Sequence, residues 1–137
     1  MLLNDEIASE PLATGEVERF RERIAARLDD ASNESNHSET RLGLAYDAIL
    51  NCALLALRVE GYRAKHRAGH HRIAIESLTE TTGVECEDVA YYHDLSGMSS
   101  RCLYDATPVT EEDAAEAVAA ARELLAKLDR WLKGRHA

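Results

Sequence analysis

The segment from residue 42 to residue 59 is apolar at nearly every position, and it constrains the fold more than any other part of the 137-residue chain. A helix that is apolar almost all round must be buried on nearly every side. The segment therefore predicts a long helix at the centre of a helical domain. Its polar residues Asp47, Asn51 and Arg58 fall on one narrow stripe of such a helix. We interpret this stripe as a solvent-facing edge; the alternative is a stripe that faces a subunit interface or a cleft.

The composition favours helices along the rest of the chain. Alanine and leucine supply 22 and 17 residues, against 11 for valine and isoleucine together, and no proline lies between Pro11 and Pro108. We expect one all-α domain over residues 1–137, an up-and-down bundle of four or five helices whose short connections make neighbours antiparallel. Residues 1–13 are expected to form a loose N-terminal lead-in.

Apolar spacing and capping residues predict the remaining helices. They are a first helix over roughly residues 15–31, a third that starts at Gly69 and stops at Gly83, a fourth over roughly 85–103, and a last helix that Thr110 begins with Asp113 in its first turn. Leu50, Leu54 and Leu57 are expected in the core of the central helix, and Leu125 and Leu128 on the inner face of the last one. The three cysteines Cys52, Cys86 and Cys102 have no C-x-x-C spacing, so we expect reduced thiols packed as small apolar groups.

Charge argues against several classes of function. The chain has 16 Lys and Arg against 25 Asp and Glu, a net charge of −9, which is unlike the broad basic face of a general nucleic-acid binder. No apolar run approaches 18 residues without a charge, so no membrane span is expected. The N-terminus lacks the pattern of a signal peptide, and we therefore expect a cytoplasmic location. RNA binding is expected to be weak or absent, because six carboxylates and no Lys or Arg lie between Arg72 and Arg101.

One basic cluster lies between residues 58 and 72. Its candidate ligand-binding residues are Arg63, Lys65, Arg67, His70 and His71, which could hold a phosphate. His66 and His70 have the i, i+4 spacing of paired metal ligands, but the surrounding cations would repel a metal ion, so neither a metal nor another cofactor is expected.

Four segments in order resemble the HEPN family of prokaryotic helical-bundle domains. They are "AYDAILNCALLALRVEGYR", "GHHRIAIESL", "LYD" and "VTEEDAAEAVAAARELLAKLDRWL", within roughly residues 41–132. The resemblance implies an up-and-down bundle that forms a homodimer in a toxin–antitoxin or defence setting. Many members of the family are metal-independent ribonucleases, whose arginine and histidine meet at the dimer interface.

The residues at the family's catalytic positions are different here. Ser99 and Ser100 stand where the arginine and its polar neighbour fall, and Tyr104 stands about where the histidine is expected. Serine supplies neither a fixed cation nor a group that titrates near neutral pH. We therefore expect a catalytically degenerate homodimer that binds a partner protein or a small ligand. The alternatives are an endoribonuclease with a rearranged site of Arg101, His93 and Tyr104, and a nucleotide-binding module that uses the basic cluster.

Overall fold

The computed structural model describes residues 7–64 and 70–135, and it is a bundle of five helices. The helices are α1 (Glu16–Ser32), α2 (Ser38–Val59), α3 (His70–Glu76), α4 (Cys86–Asp105) and α5 (Glu111–Arg135). A 3₁₀ turn at Ser77–Thr79 follows α3, and two three-residue strands, β1 (Ile7–Ser9) and β2 (Tyr62–Ala64), form a small antiparallel pair. The all-α bundle is confirmed.

Helix α2 lies at the centre of the bundle, as its apolar sequence predicts. It packs against α1, α3, α4 and α5, and more than half of its residues are buried. By length and composition alone α2 could also cross a membrane, but 67% of its most apolar window is buried inside the bundle. This burial is what the core helix of a packed domain shows, so the apolar sequence is weak evidence for a membrane span.

Contacts between side chains fix the directions of the long helices. Arg27 of α1 pairs with Asp47 at 2.7 Å, and Arg41 donates to the Ala31 carbonyl at 2.8 Å, so α1 and α2 are antiparallel. Arg21 of α1 pairs with Asp129 of α5 at 2.9 Å and Arg122 of α5 donates to Ser32, so α1 and α5 are antiparallel too. Cys102, near the end of α4, contacts Glu39 in the first turn of α2. The four long helices therefore alternate in direction along the chain, as the short connections predict.

Two of the three polar residues in the α2 stripe are covered by α1 and the N-terminal segment. The interpretation of the stripe as a solvent-facing edge is therefore wrong for Asn51 and Arg58, whereas the Asp47 side chain is 40% exposed. Asn51 and Arg58 are buried, with only 4% and 2% of their surface exposed. Asn51 donates to the main-chain carbonyl of Asp47, one turn earlier, which satisfies its amide inside the bundle. The stripe is therefore a contact face within the chain.

Arg58 joins the start of α1, the N-terminal segment and β2. Its Nε and Nη2 donate to the two carboxylate oxygens of Glu16 at 2.6 and 3.0 Å. Its remaining donors reach three main-chain carbonyls, those of Glu10 at 2.7 Å, Pro11 at 2.7 Å and Tyr62 at 3.1 Å. All five N–H donors of the guanidinium are thus satisfied within the protein.

The expectation of a loose lead-in is wrong over the described part of residues 1–13. Strand β1 pairs with β2, with Ile7 opposite Ala64, and the amide of Glu10 donates to the Gly61 carbonyl at 2.8 Å. Gly61 ends α2 with a φ of 89°, a left-handed conformation that turns the chain into β2. The partners of the lead-in are more than 45 residues away, which is why no local pattern predicts its order.

Several core predictions need correction. Leu50 and Leu57 are buried, whereas Leu54 is only half-buried and packs against the core from outside it. On α5, Leu124 is buried and Leu125 is half-buried. Of the cysteines, Cys52 is buried, but Cys86 is exposed at the first turn of α4 and Cys102 is partly exposed, so the expectation of three core thiols is wrong for two of them.

The start of α5 follows the predicted capping pattern. The Thr110 hydroxyl accepts a hydrogen bond from the Asp113 amide at 3.0 Å, and the Asp113 carboxylate accepts one from the Thr110 amide at 3.1 Å. This reciprocal pair satisfies two main-chain donors that a helix N-terminus leaves free.

Candidate functional site

The residues predicted from the family resemblance all lie on α4, and most of them lie near its C-terminal end. Ser99 is half-buried, Ser100 and Arg101 are exposed, and Tyr104 is 81% exposed. The helix continues without a break through Gly97, where an added Cβ would come within 3.2 Å of the Arg101 guanidinium. Arg101 thus folds back over Gly97 along the surface of α4.

The pairing of α4 with α2 explains why this end of α4 is uncovered. Tyr46 is hydrogen-bonded to Ser96, and the Cys102 thiol donates to the Glu39 carboxylate at 2.7 Å, so the two helices run antiparallel. The acceptor Glu39 lies in the first turn of α2, so residues of α4 beyond Cys102 extend past the end of its neighbour. Leu103 is consequently 75% exposed beside Tyr104. The exposure of Leu103 cannot be predicted from the sequence, because the exposure depends on the register between α4 and α2.

The hydrogen bond to Glu39 also affects the Cys102 thiol. Donation to the carboxylate favours the protonated form and raises the pKa of Cys102 above its ordinary value. Burial, in contrast, is what raises the pKa of Cys52. Neither thiol is therefore poised as a nucleophile near neutral pH.

The three residues of the rearranged ribonuclease site are spread along α4. The backbone positions of His93 and Arg101 are eight residues apart, about 12 Å along the helix axis, but the Arg101 guanidinium lies over Gly97, one turn from His93. Tyr104 lies at the exposed end of the helix. A general acid or base and a cation that act on one phosphate must both reach it within hydrogen-bond distance. The rearranged site stays a prediction.

His93 instead lines a separate cavity between α2, α3 and α4. The cavity has a volume of about 500 Å³, and Tyr46, His71, Arg72 and Ser96 complete its lining. Burial raises the pKa of the Tyr46 hydroxyl, which is held by its hydrogen bond with Ser96. Each of these five side chains thus brings a polar group and an apolar part to the cavity.

Glu76 balances the charge of this cavity. Its carboxylate accepts a hydrogen bond from Arg72 Nε at 2.9 Å and lies 3.7 Å from His93 Nε2. That nitrogen is buried and has no hydrogen-bond partner among the described residues. Glu76 thus neutralises the positive charge that Arg72 brings to the cavity.

The described part of the basic cluster between residues 58 and 72 is divided between separate places. Arg58 is buried on Glu16, and Arg63 lies in β2, where it is paired with Glu10 and with Glu16. His71 belongs to the separate cavity beside His93. Of the other candidates, Lys65 and Arg67 lie outside the described residues, as does the side chain of His70. Among the residues that the structure describes, Arg63 and His71 line separate cavities, and the interpretation of the cluster as a single phosphate site stays a prediction.

The pairing of Glu16 with Arg58 could not be predicted from the sequence. The two residues are 42 positions apart, and a glutamate at the start of an amphipathic helix ordinarily faces solvent. The signal available was the arginine itself, since a charged residue in an otherwise apolar helix requires a partner when it is buried. The sequence does not show which residue the partner of Arg58 is.

Comparisons with known proteins leave the family open. Among protein-family models, curated proteins and solved structures, no match to the chain was found. The resemblance to HEPN domains stays a prediction, and the function has to be argued from the geometry of the helices.

Proposed function

We propose that the chain is a HEPN-like, catalytically degenerate interaction module that forms a homodimer through the exposed end of α4. The supporting observation is the pair Leu103 and Tyr104, 75% and 81% exposed on the last turn of a helix that extends past its neighbour. Two adjacent large apolar side chains are costly to leave in water, and a second copy of the chain would cover them. Ser99 and Ser100 next to them are small enough to let a second helix approach closely.

The exposed residues at this end of α4 fall on two faces. At about 100° per residue, Ser99, Ser100, Leu103 and Tyr104 share one face, whereas the charged residues Arg101 and Asp105 lie on the opposite one. The face that a partner would cover therefore carries no charge. A two-fold axis near Leu103 would bring this face of one copy against the same face of the other. The homodimer that the HEPN resemblance implies is why we favour a second copy over an unrelated protein at this surface.

The proposed setting follows the resemblance. A HEPN-like dimer without the catalytic arginine and histidine would act in the cytoplasm, in a toxin–antitoxin or defence system, by binding a partner protein. The acidic residues of the α3–α4 region, such as Glu80, Glu87 and Asp94, repel phosphate and support weak or absent RNA binding.

Sedimentation velocity at tens of micromolar protein tests the dimer. The wild type is expected to sediment as a species of about 30 kDa, twice the 15.2 kDa of one chain. The double variant Leu103→Ser, Tyr104→Ser should be monomeric, because it removes the apolar surface that the dimer buries. Leu12→Ser is the matched control, since Leu12 is an exposed leucine away from α4, and it should remain a dimer. A monomeric wild type, or a dimeric double variant, would refute the proposal.

A cleavage assay tests the degenerate site. Purified protein should leave single-stranded RNA intact with or without magnesium, because Ser99 and Ser100 supply no cation and no titrating group. The triple variant Ser99→Arg, Ser100→Asn, Tyr104→His rebuilds the family motif, and cleavage by this variant would support a degenerate site on an intact scaffold. Cleavage by the unmodified protein that Arg101→Ala abolishes would instead establish the ribonuclease alternative.

A further inference from the structure

Three arginines line a cavity beside the N-terminal half of α1. Arg19 and Arg23 come from α1 and Arg63 from β2, around a volume of about 370 Å³. Arg19 and Arg23 are one helical turn apart, so their side chains leave α1 on the same face. Phe20 and the buried Glu16 complete most of the lining.

The charge of this cavity differs from that of the whole protein. Within it, Glu16 is already neutralised by the bidentate Arg58, which lowers the pKa of that carboxyl to about 2. Counting Arg58 and Glu10 with the lining residues, four guanidinium groups face two carboxylates, a local excess of two positive charges. The chain as a whole has a net charge of −9. A concentration of positive charge in an acidic protein favours an anionic ligand at this place.

The arginines retain unused donors. Arg63 donates from Nε to the Glu10 carboxylate and from Nη2 to the Glu16 carboxylate, the latter at 3.1 Å. Its Nη1 makes neither of these two hydrogen bonds. Arg19 uses Nη1 for the Thr14 carbonyl at 3.3 Å. Arg23 is exposed and makes no side-chain hydrogen bond or ion pair within the described ranges 7–64 and 70–135.

The backbone makes room for one of these side chains. Gly15 precedes α1 with a φ of 77°, and a Cβ at that position would lie 3.1 Å from Arg19 Nη1. A side chain at residue 15 would therefore be strained and would press on the guanidinium. Glycine at this position lets Arg19 lie across the start of α1, at the edge of the cavity.

We propose that this cavity binds a diphosphate group. Planar guanidinium groups match the oxygens of phosphates in paired hydrogen bonds, and two adjacent phosphoryl groups have enough charge to engage all three arginines. The diphosphate could belong to a nucleotide, whose base would stack against Phe20, or to free pyrophosphate. Both sources share the same recognition by Arg19, Arg23 and Arg63.

Isothermal titration calorimetry at low salt with two probes, ADP and inorganic pyrophosphate, tests the site. We expect submillimolar binding of at least one probe to the full chain, weakened by added salt because the contacts are ionic. Binding of ADP at least tenfold tighter than that of pyrophosphate would identify a nucleotide, whereas equal affinities would identify the free diphosphate.

The variant Arg23→Gln separates ligand binding from folding. Arg23 makes no contact that stabilises the fold, so the variant should keep the wild-type unfolding transition and bind at least tenfold more weakly. Arg130→Gln is the matched control, because it removes the same charge from an exposed position on α5 and should bind as the wild type does. Failure of both probes to bind, or equal weakening by Arg23→Gln and Arg130→Gln, would overturn the proposal.

Discussion

The buried pair Glu16–Arg58 provides a direct test of how the N-terminal segment is held. Glu16→Ala removes both carboxylate oxygens, at 2.6 and 3.0 Å from the guanidinium, and leaves Arg58 with three main-chain carbonyls and the more distant Glu10 carboxylate at 3.5 Å. The charge of Arg58, with 2% of its surface exposed, then has no counterion of comparable geometry. Removal of one partner of a buried ion pair typically costs about 3–5 kcal/mol. That is a large share of the roughly 5–15 kcal/mol that stabilises a domain.

Urea unfolding followed by far-ultraviolet circular dichroism measures this loss. Arg27→Ala is the matched control, because Arg27 and Asp47 also join α1 to α2, but both side chains are about 40% exposed. An exposed pair contributes at most about 1 kcal/mol. A loss below about 1 kcal/mol for Glu16→Ala, or equal losses for the two variants, would refute the structural role given to this pair.

The same pair predicts a dependence on acid. The pKa of Glu16 is lowered from 4.5 to about 2, first by its hydrogen bond with Arg58. A carboxyl whose pKa is lower in the folded state stabilises the fold fully above about pH 4.5, and the contribution is lost as the pH falls towards 2. Wild-type stability should therefore fall more steeply across this window than that of Glu16→Gln, and parallel pH profiles would contradict the assignment.

Three further predictions concern other parts of the fold. Leu57 is fully buried on α2, so Leu57→Ala should lower the free energy of unfolding by about 2–5 kcal/mol. Leu54→Ala should lower it by clearly less, because Leu54 is half-buried. Equal losses for the two variants in urea unfolding would contradict the core assignment. Thr110→Ala should cost about 1 kcal/mol through loss of the cap on α5, and Thr110→Ser should retain most of that stability in the same assay. Under native conditions a disulfide-exchange reagent should label Cys86 first, because Cys86 is exposed whereas Cys52 is buried and the pKa of Cys102 is raised; fast labelling that persists in Cys86→Ser would contradict this order.

The helices could be predicted from the sequence because their signals are local. The apolar run of α2 and the Thr110–Asp113 pair each act within a few residues, and the structure follows both. The N-terminal segment could not be predicted in this way. Strand β1 has only three residues, too few for a pattern, and its order depends on pairing with β2 and on Arg58.

The candidate sites were predicted only in part for the same reason. The sequence places the family's motif positions on α4, but the exposure of Leu103 and Tyr104 depends on where α2 begins beside that helix. Two of the three arginines that line the proposed diphosphate cavity are close in sequence. Arg19 and Arg23 are four residues apart, a spacing that predicts a shared helix face. Their third partner, Arg63, comes from β2 and reaches them only through the fold.

A charge placed at the proposed two-fold axis tests the homodimer most directly. Near such an axis a residue faces its own copy, so Leu103→Lys would bring two like charges together in the contact. We expect this variant to be a monomer in sedimentation equilibrium under conditions in which the wild type is a dimer. Arg101→Gln is the control, because Arg101 lies on the opposite face of α4, and it should remain a dimer. A monomeric wild type, or a dimeric Leu103→Lys, would contradict the two-fold pairing through α4.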